Sequence, residues 1–111
     1  MSDLTFDEFH KLCEEAGIGS ENKAEMEFDF RVGGALADLV TEIEMATEKF
    51  PPMNSPHEGF AILKEEVDEL WDELKKNPSS RNLTKMRKEA IQVAAMAIRF
   101  IADTCGEPVE N

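Results

Sequence analysis

The fold is decided by residues 55–76, which read SPHEGFAILKEEVDELWDELKK. The stretch opens with helix-start signals: Ser55 is a good N-cap residue, Pro56 suits the first helical position, and a glutamate three residues after the cap completes a capping box. Asn77-Pro78 then ends the helix. We therefore predict one long helix, roughly 31 Å in length at 1.5 Å per residue.

Apolar residues recur along this helix at the spacing of a single face, which indicates an amphipathic helix whose stripe packs on a core. The stripe consists of Phe60, Leu63, Val67, Leu70, Trp71 and Leu74. Three acids lie on its flank, at the edge of the expected core: Glu66, Glu69 and Glu73. Carboxylates in this position can share a divalent cation, or they can be ordinary solvated acids.

The first half of the chain carries weaker signals. Residues 4–17 predict a short helix that begins with a capping box at Thr5 and ends at Gly17. Residues 18–32 read as a loop or as an irregular entry into the next helix, with Phe28 and Phe30 packed against the core. A helix from Ala35 to about Phe50 follows; Gly33-Gly34 before it can mark a bend or a close helix contact, and two prolines end it.

A last long helix is predicted from a cap at Ser80 or Asn82 to about Thr104. Its expected core stripe is Leu83, Met86, Ala90, Val93, Ala94, Ala97 and Ile101. No β pattern or repeat accompanies these helices. The predicted fold is an all-α helical bundle, with the two long helices as an antiparallel hairpin.

The length, net charge and cysteine content of the chain exclude some classes of function. A chain of 111 residues predicts a single domain, residues 1–111. Twenty-four acids against twelve bases give a net charge of −12, which argues against duplex nucleic acid and membrane surfaces as partners and favours divalent cations. Two cysteines far apart, Cys13 and Cys105, predict free thiols and a cytoplasmic protein.

The acids of the two long helices form matching pairs. Relative to its own stripe, Glu89 has the angular position of Glu66, and Gln92 has that of Glu69. In an antiparallel hairpin these flanks can converge into a pocket of three carboxylates and an amide oxygen. Hard oxygen ligands in that number suit Mg²⁺ or Mn²⁺ better than Zn²⁺.

Other polar residues are weaker candidates for substrate contacts. Bases near the acidic flanks can bind phosphates, and polar residues before the long helix can touch a base or ribose, although each also fits an ordinary solvated or capping role. These candidates are Arg99, Lys85, Lys88, Asn54 and His57.

The stretches that contain these acids resemble those of a known family. Residues 50–74, FPPMNSPHEGFAILKEEVDELWDEL, followed by RKEAIQVAAMAIRFIAD, are similar to the MazG-like all-α nucleoside triphosphate pyrophosphohydrolases, in particular a compact branch from bacteria and phages. The family signature is EExxE followed by ExxD. Here the first part starts at Glu65, nineteen residues separate Glu69 from Glu89, and Gln92 stands where the family carries Asp. The resemblance is strongest over residues 50–105.

The resemblance implies a metal-dependent enzyme that cleaves a (deoxy)nucleoside triphosphate to the monophosphate and pyrophosphate. Mg²⁺, or alternatively Mn²⁺, would be held by Glu66, Glu69 and Glu89, with Gln92 at the fourth ligand position. Glu65 would orient or deprotonate the attacking water. The family also implies that the bundle is completed by association into a homodimer or homotetramer.

Two alternatives to the enzyme remain open. The chain can be a non-catalytic acidic helical dimer that serves as a protein-interaction or nucleotide-binding module, a possibility raised by the net charge and by Gln92. It can also be a purely structural bundle whose acids are solvated.

Overall fold

The computed structural model of the protein describes residues 4–17 and 22–106. These residues form an all-α fold without a strand, as predicted. The helices are α1 (Phe6–Glu15), α2 (Lys23–Lys49), α3 (Pro56–Leu74) and α4 (Leu83–Phe100), with a 3-10 turn at Pro78–Ser80 and a π-helical turn at Ile101–Cys105 after α4. Within the described ranges, none of the helices has the length and apolar character needed to cross a membrane.

Side-chain caps explain where three helices begin. The Oγ1 of Thr5 accepts the backbone N–H of Glu8 at 3.2 Å, and the Oγ of Ser55 accepts that of Glu58 at 3.1 Å. Asn82, rather than Ser80, caps α4 by accepting the N–H of Lys85 at 3.0 Å. Each bond satisfies a donor that the first helical turn leaves free, so these starts follow directly from local sequence.

The loop prediction for residues 18–32 is wrong from Lys23 onward, because α2 begins there and continues as one helix through Gly33-Gly34. Residues 18–21 of that predicted loop lie outside the described part of the chain. The signal for the true start is Asn22, whose Oδ1 accepts the N–H of Glu25 at 3.1 Å. An Asn followed three residues later by Glu is a helix-start pattern that outweighs the irregular apolar spacing after it.

The chain divides into two compact units, with the boundary between Ala37 and Asp38. In the first unit, α1 packs on the beginning of α2 through aromatic rings. The centroid of the Phe30 ring lies 5.6 Å from that of Phe6 and 4.9 Å from that of Phe9. Phe28 is exposed, so the prediction that it packs inward is wrong. The prediction of one domain over residues 1–111 stays a prediction.

In the second unit, α3 and α4 form the predicted antiparallel hairpin, joined by residues 75–82. Its buried apolar cluster is small: Ala46, Met53 and Met96, with Ile62, Leu63 and Phe100 packed against it. Gly59 permits the close approach at one end of the hairpin, because a Cβ there would stand 2.7 Å from Cδ2 of Phe100.

Only part of the apolar stripe predicted on each long helix is covered within the chain. In α3, Leu63 and Leu70 are half-buried, whereas Phe60, Val67, Trp71 and Leu74 are exposed. In α4, Leu83 and Ala90 are exposed and Met86, Val93, Ala94 and Ala97 are half-buried, while the buried residues are Glu89, Ala95, Met96 and Arg99; Ile101, just after α4, is exposed. Periodicity identified the apolar faces correctly, but the prediction that each is buried as a complete core stripe is wrong. The two helices meet through their polar flanks and through the small apolar cluster.

Candidate metal centre

The polar flanks of α3 and α4 meet in register. Gln92 lies against Glu66, the Glu69 carboxyl hydrogen-bonds to that of Glu89, and Glu73 forms an ion pair with Lys85. Each turn forward along α3 therefore corresponds to one turn back along α4, as an antiparallel hairpin requires. The sequence prediction that the acidic flanks converge is confirmed.

Three carboxylates form the centre of this contact. One oxygen each from Glu66, Glu69 and Glu89 lies within 4.8 Å of the others. The amide nitrogen of Gln92 donates to Oε2 of Glu89 at 3.0 Å and to Oε2 of Glu66 at 3.2 Å. This amide orientation follows from chemistry, because ionised carboxylate oxygens can only accept hydrogen bonds.

Crowding of like charges changes the acidity of the cluster. Partial burial, and then the charge and hydrogen bond of Glu69, raise the pKa of Glu66 from 4.5 to about 7, with smaller contributions from Glu89 and Glu65. Burial and the same Glu69 carboxyl also raise the pKa of Glu89. The cluster therefore attracts positive charge, which either protons or a cation can supply.

One turn further along α3, the next carboxylate of the same interface is neutralised by two lysines. Glu73 is only 3% exposed, and its carboxylate binds the Nζ of Lys85 at 2.9 Å and that of Lys76 at 3.0 Å. Hydrogen bonds from these lysines hold the pKa of Glu73 below its ordinary value. Among the described residues, no lysine or arginine forms such an ion pair with Glu66, Glu69 or Glu89. The three-carboxylate cluster therefore has no ion pair with a described lysine or arginine, although the charges of Lys85 and Lys88 act on Glu89, whereas Glu73 has two ion pairs.

The donor set of the cluster fits a hard divalent cation. All of its candidate ligands are oxygens, and neither a histidine nor a cysteine belongs to it. Mg²⁺ prefers oxygen ligands at about 2.0–2.1 Å and keeps several waters, so three carboxylates that close in slightly are a suitable set. Gln92 can join them as a ligand only after its amide turns by 180°, so that the oxygen replaces the nitrogen.

The structure places the remaining predicted residues on the two long helices or just before α3. Glu65 is exposed on α3, beside Glu66 but outside the three-carboxylate group. Lys88 is exposed on α4, and its positive charge opposes the rise in the pKa of Glu89. Asn54 donates from its amide to both carboxylate oxygens of Glu58, at 3.2 and 3.4 Å. His57 is exposed in the first turn of α3.

Arg99 occupies a different setting from the one proposed for a phosphate-binding base. It is buried, and its Nη2 donates to the carbonyl oxygens of Pro51 at 2.9 Å and Phe50 at 3.4 Å. One turn on, the carboxylate of Asp103 accepts the N–H of Met53 at 2.9 Å. The end of α4 and the turn after it therefore bind the segment that leads into α3. The Nη2 group of Arg99 is used for this contact.

Glu73 is the residue of the interface to which the sequence analysis assigns no role. The sequence places it on the flank of α3 and suggests Lys85 only as a phosphate-binding base. The signal that connects them is their spacing, because Glu73 follows Glu69 by four residues and Lys85 precedes Glu89 by four. In an antiparallel hairpin those two positions must face each other once Glu69 meets Glu89.

None of the protein-family models, curated proteins or solved structures with which the chain was compared matches it. The function is therefore inferred from the geometry of the three-carboxylate cluster and from the resemblance of the EExxE and ExxQ motifs.

We expect the metal-free protein to lose stability as the pH rises between about 4.5 and about 7. The folded state raises the pKa of Glu66 above its ordinary 4.5 to about 7, so it binds a proton that the unfolded chain has already released. The stabilisation is complete below about 4.5 and is lost as the pH passes about 7. Because Glu66 is partly solvated, we expect on the order of 1 kcal/mol, or a Tm decrease of about 4–8 °C.

Thermal unfolding followed by circular dichroism in EDTA, at about pH 5 and about pH 8, measures this change. The Glu66→Gln variant is the control, because it has no proton to lose at this position. An equal pH slope in the variant and in the unmodified protein would contradict the assignment to Glu66.

Proposed function

We propose that this protein is a Mg²⁺-dependent nucleoside triphosphate pyrophosphohydrolase, with Mn²⁺ as an alternative cation, that converts a (d)NTP to the (d)NMP and pyrophosphate. The observation that supports it most is the cluster of Glu66, Glu69 and Glu89 at the interface of two helices. The EExxE and ExxQ motifs, which resemble those of the MazG-like enzymes, supply these same residues.

The roles of the side chains follow from their positions. Glu66 and Glu69 from α3 and Glu89 from α4 would hold the cation, with Gln92 as a neutral fourth ligand. When bound, the cation neutralises triphosphate charge and lowers the pKa of a water molecule. Glu65 is exposed beside the cluster, where its carboxylate can accept a proton from the attacking water. A proton acceptor next to the site, rather than within it, keeps the three ligands ionised for the cation.

The basic side chains at the edge of the cluster would meet the outer phosphates. Lys85 is the nearest candidate, because it already binds Glu73 and its charge acts on Glu69 and Glu89. Lys88 is exposed on the same helix and free to reach a bound anion. The wider proposal is a cytoplasmic homodimer or homotetramer that acts on free nucleotides, with neither duplex nucleic acid nor a membrane as partner.

The direct test is incubation of the purified protein with a panel of dNTPs and NTPs in the presence of Mg²⁺ or Mn²⁺. Chromatography of the nucleotide and an assay for inorganic pyrophosphate distinguish cleavage between the α and β phosphates from release of orthophosphate. We expect one monophosphate and one pyrophosphate for each nucleotide consumed, and none in EDTA. A folded protein that releases no pyrophosphate from any nucleotide would refute the proposal.

The neutral ligand gives a second prediction. We expect Gln92→Asp to lower the Mg²⁺ concentration needed for half-maximal activity by roughly tenfold, because a carboxylate binds a hard cation more strongly than an amide does. The same change should lower the Tm in EDTA, because a donor that bridges Glu66 and Glu89 becomes a fourth negative charge. Activity titrations against Mg²⁺ and parallel melting curves measure both effects. An unchanged Mg²⁺ requirement would contradict a ligand role for residue 92.

A second candidate function is a non-catalytic module that binds a nucleotide or a protein. The observation in its favour is the hydrogen bonding of Gln92, which already draws two of the three carboxylates together without a cation. Calorimetry with Mg²⁺ and a non-hydrolysable nucleotide separates the possibilities. Binding without turnover of hydrolysable nucleotides favours a nucleotide-binding module, and the absence of both favours a protein-interaction surface.

A further inference from the structure

The outer face of α3 carries a continuous apolar stripe that the chain leaves uncovered. Phe60 is 61% exposed and Trp71 is 55% exposed, and Val67 and Leu74 between and beyond them are exposed as well. At 100° per residue these four side chains fall within about 60° of arc, on one side of the helix. The stripe extends along most of α3, from its second turn to its end.

This face is turned away from the rest of its unit. The residues of α3 that bond to α4 or closely approach the adjoining segment lie about 110° round the helix from the stripe, and Leu63, which packs on the core cluster, lies between the two sets. Gly59 approaches Phe100, Glu66 binds Gln92, and Glu73 binds Lys85. Rotation of the stripe onto α4 would expose Glu73 and separate its ion pairs, so the hairpin cannot cover the stripe by a small adjustment.

The electrostatic character of the face also suits association. The acids of the α3–α4 contact lie on the other side of the helix, and the charges that border the stripe neutralise each other, because Nζ of Lys64 binds Oδ2 of Asp68 at 3.0 Å. Only the net charge of −12 acts against the approach of a second copy. This long-range repulsion is screened by salt.

We propose that this stripe, consisting of Phe60, Val67, Trp71 and Leu74, packs against the same stripe of a second copy of this chain. The inference deepens the homodimer of the proposed function by assigning the surface that forms it. A two-fold axis at Val67 would make the two α3 helices antiparallel. It would set Phe60 opposite Leu74 of the partner subunit, so that the ring meets an aliphatic side chain.

The area is that of a stable dimer. Covering the exposed parts of the four side chains removes roughly 450 Å² of apolar surface from each chain, given that an aromatic side chain buries 150–250 Å². Two chains would then bury roughly 900 Å² as the apolar core of the interface. Standard interfaces bury about 1,600 Å² in total, with the central part being the most apolar, so the stripe and its polar border are of the required size.

The test measures the mass of the full-length chain by sedimentation velocity or by light scattering after size exclusion, with and without Trp71→Glu. We expect the unmodified chain of 12.5 kDa to associate. The variant should weaken association at least 100-fold and halve the observed mass, whether the assembly is a dimer or a tetramer. Leu83→Glu, an equal change at a 75% exposed side chain outside the stripe, should leave the mass unchanged.

A second measurement needs no variant, because Trp71 is the one tryptophan of the sequence. Its fluorescence should be blue-shifted at high protein concentration and shift to the red on dilution, along the same curve as the mass. Raising NaCl from about 0.05 to about 0.5 M should move this transition to lower protein concentration, since salt screens the repulsion.

Several outcomes would overturn the inference. A monomeric chain at about 100 μM would do so. So would a Trp71→Glu variant that folds and keeps the full mass, or blue-shifted emission that persists at concentrations where the mass is that of the monomer, which would mean that another part of the chain covers Trp71. Pyrophosphate release is assayed separately. A dimer that releases no pyrophosphate would refute only the proposed enzymatic activity. An active protein whose mass is the same with and without Trp71→Glu would refute only this interface.

Discussion

Replacement of Glu66 by glutamine is expected to reduce Mg²⁺-dependent pyrophosphate release by at least about 100-fold in kcat/KM. Glu66 contributes one of the three clustered carboxylates and contacts both of the others and Gln92. Its loss leaves two carboxylates to hold the cation, which weakens binding of the cation and of the triphosphate together. Initial rates over a range of nucleotide and Mg²⁺ concentrations measure the effect.

The same substitution should not destabilise the protein, and this separates loss of chemistry from loss of folding. In EDTA near neutral pH the variant has one less negative charge in the cluster, so its Tm should equal or exceed that of the unmodified protein. Glu44→Gln, the same chemical change at an exposed position of α2, is the matched control and should retain activity. A Glu66→Gln variant with more than about a third of the original kcat/KM would exclude Glu66 from the site.

The second large effect is expected at Arg99. We expect Arg99→Met to lower the free energy of unfolding by about 2–4 kcal/mol, because it leaves the partly buried carbonyl groups of Phe50 and Pro51 without their donor. The apolar stem of the side chain is largely kept, so the loss reports on the guanidinium. Urea unfolding followed by circular dichroism measures it.

Arg87→Met is the matched control for this experiment. Arg87 is half exposed, and its ion pair with Asp38 lies at the surface, so its replacement should cost less than about 1 kcal/mol. Equal costs at the two positions would show that water replaces the donor at Arg99. An Arg99→Met variant that is fully stable but has a raised KM for nucleotides would instead support the original prediction of a phosphate contact.

Local sequence predicted much of this fold. The starts of α1, α3 and α4 are encoded by single side chains that bond to the first helical turn, so they need no knowledge of tertiary structure. The meeting of Glu66 and Glu69 with Glu89 was also predictable, because two helices joined by a short turn must be antiparallel and the acidic flanks then have only one way to converge.

What could not be predicted depends on contacts rather than on spacing. Periodicity shows that Phe60, Val67 and Trp71 share a face, but an apolar face that is exposed in one subunit has the same pattern as one buried in the chain's own core. The role of Arg99 was missed for a related reason. Its partners are backbone carbonyls of a segment some fifty residues earlier. Because every residue carries a backbone carbonyl, the sequence does not show which of them accepts a hydrogen bond.

The arrangement of charges along α4 has a consequence for how the protein responds to its surroundings. In the first half of the helix, burial and the neighbouring Glu69 carboxyl raise the pKa of Glu89, so Glu89 binds a proton at a higher pH than an isolated glutamate does. Toward its end, Nη2 of Arg99 donates to the backbone carbonyl oxygens of Phe50 and Pro51. Mild acidification therefore neutralises carboxylates around Glu89, whereas these hydrogen bonds to backbone carbonyls involve no carboxylate. The segment leading into α3 then stays bound to the end of α4 while the three-carboxylate cluster loses negative charge.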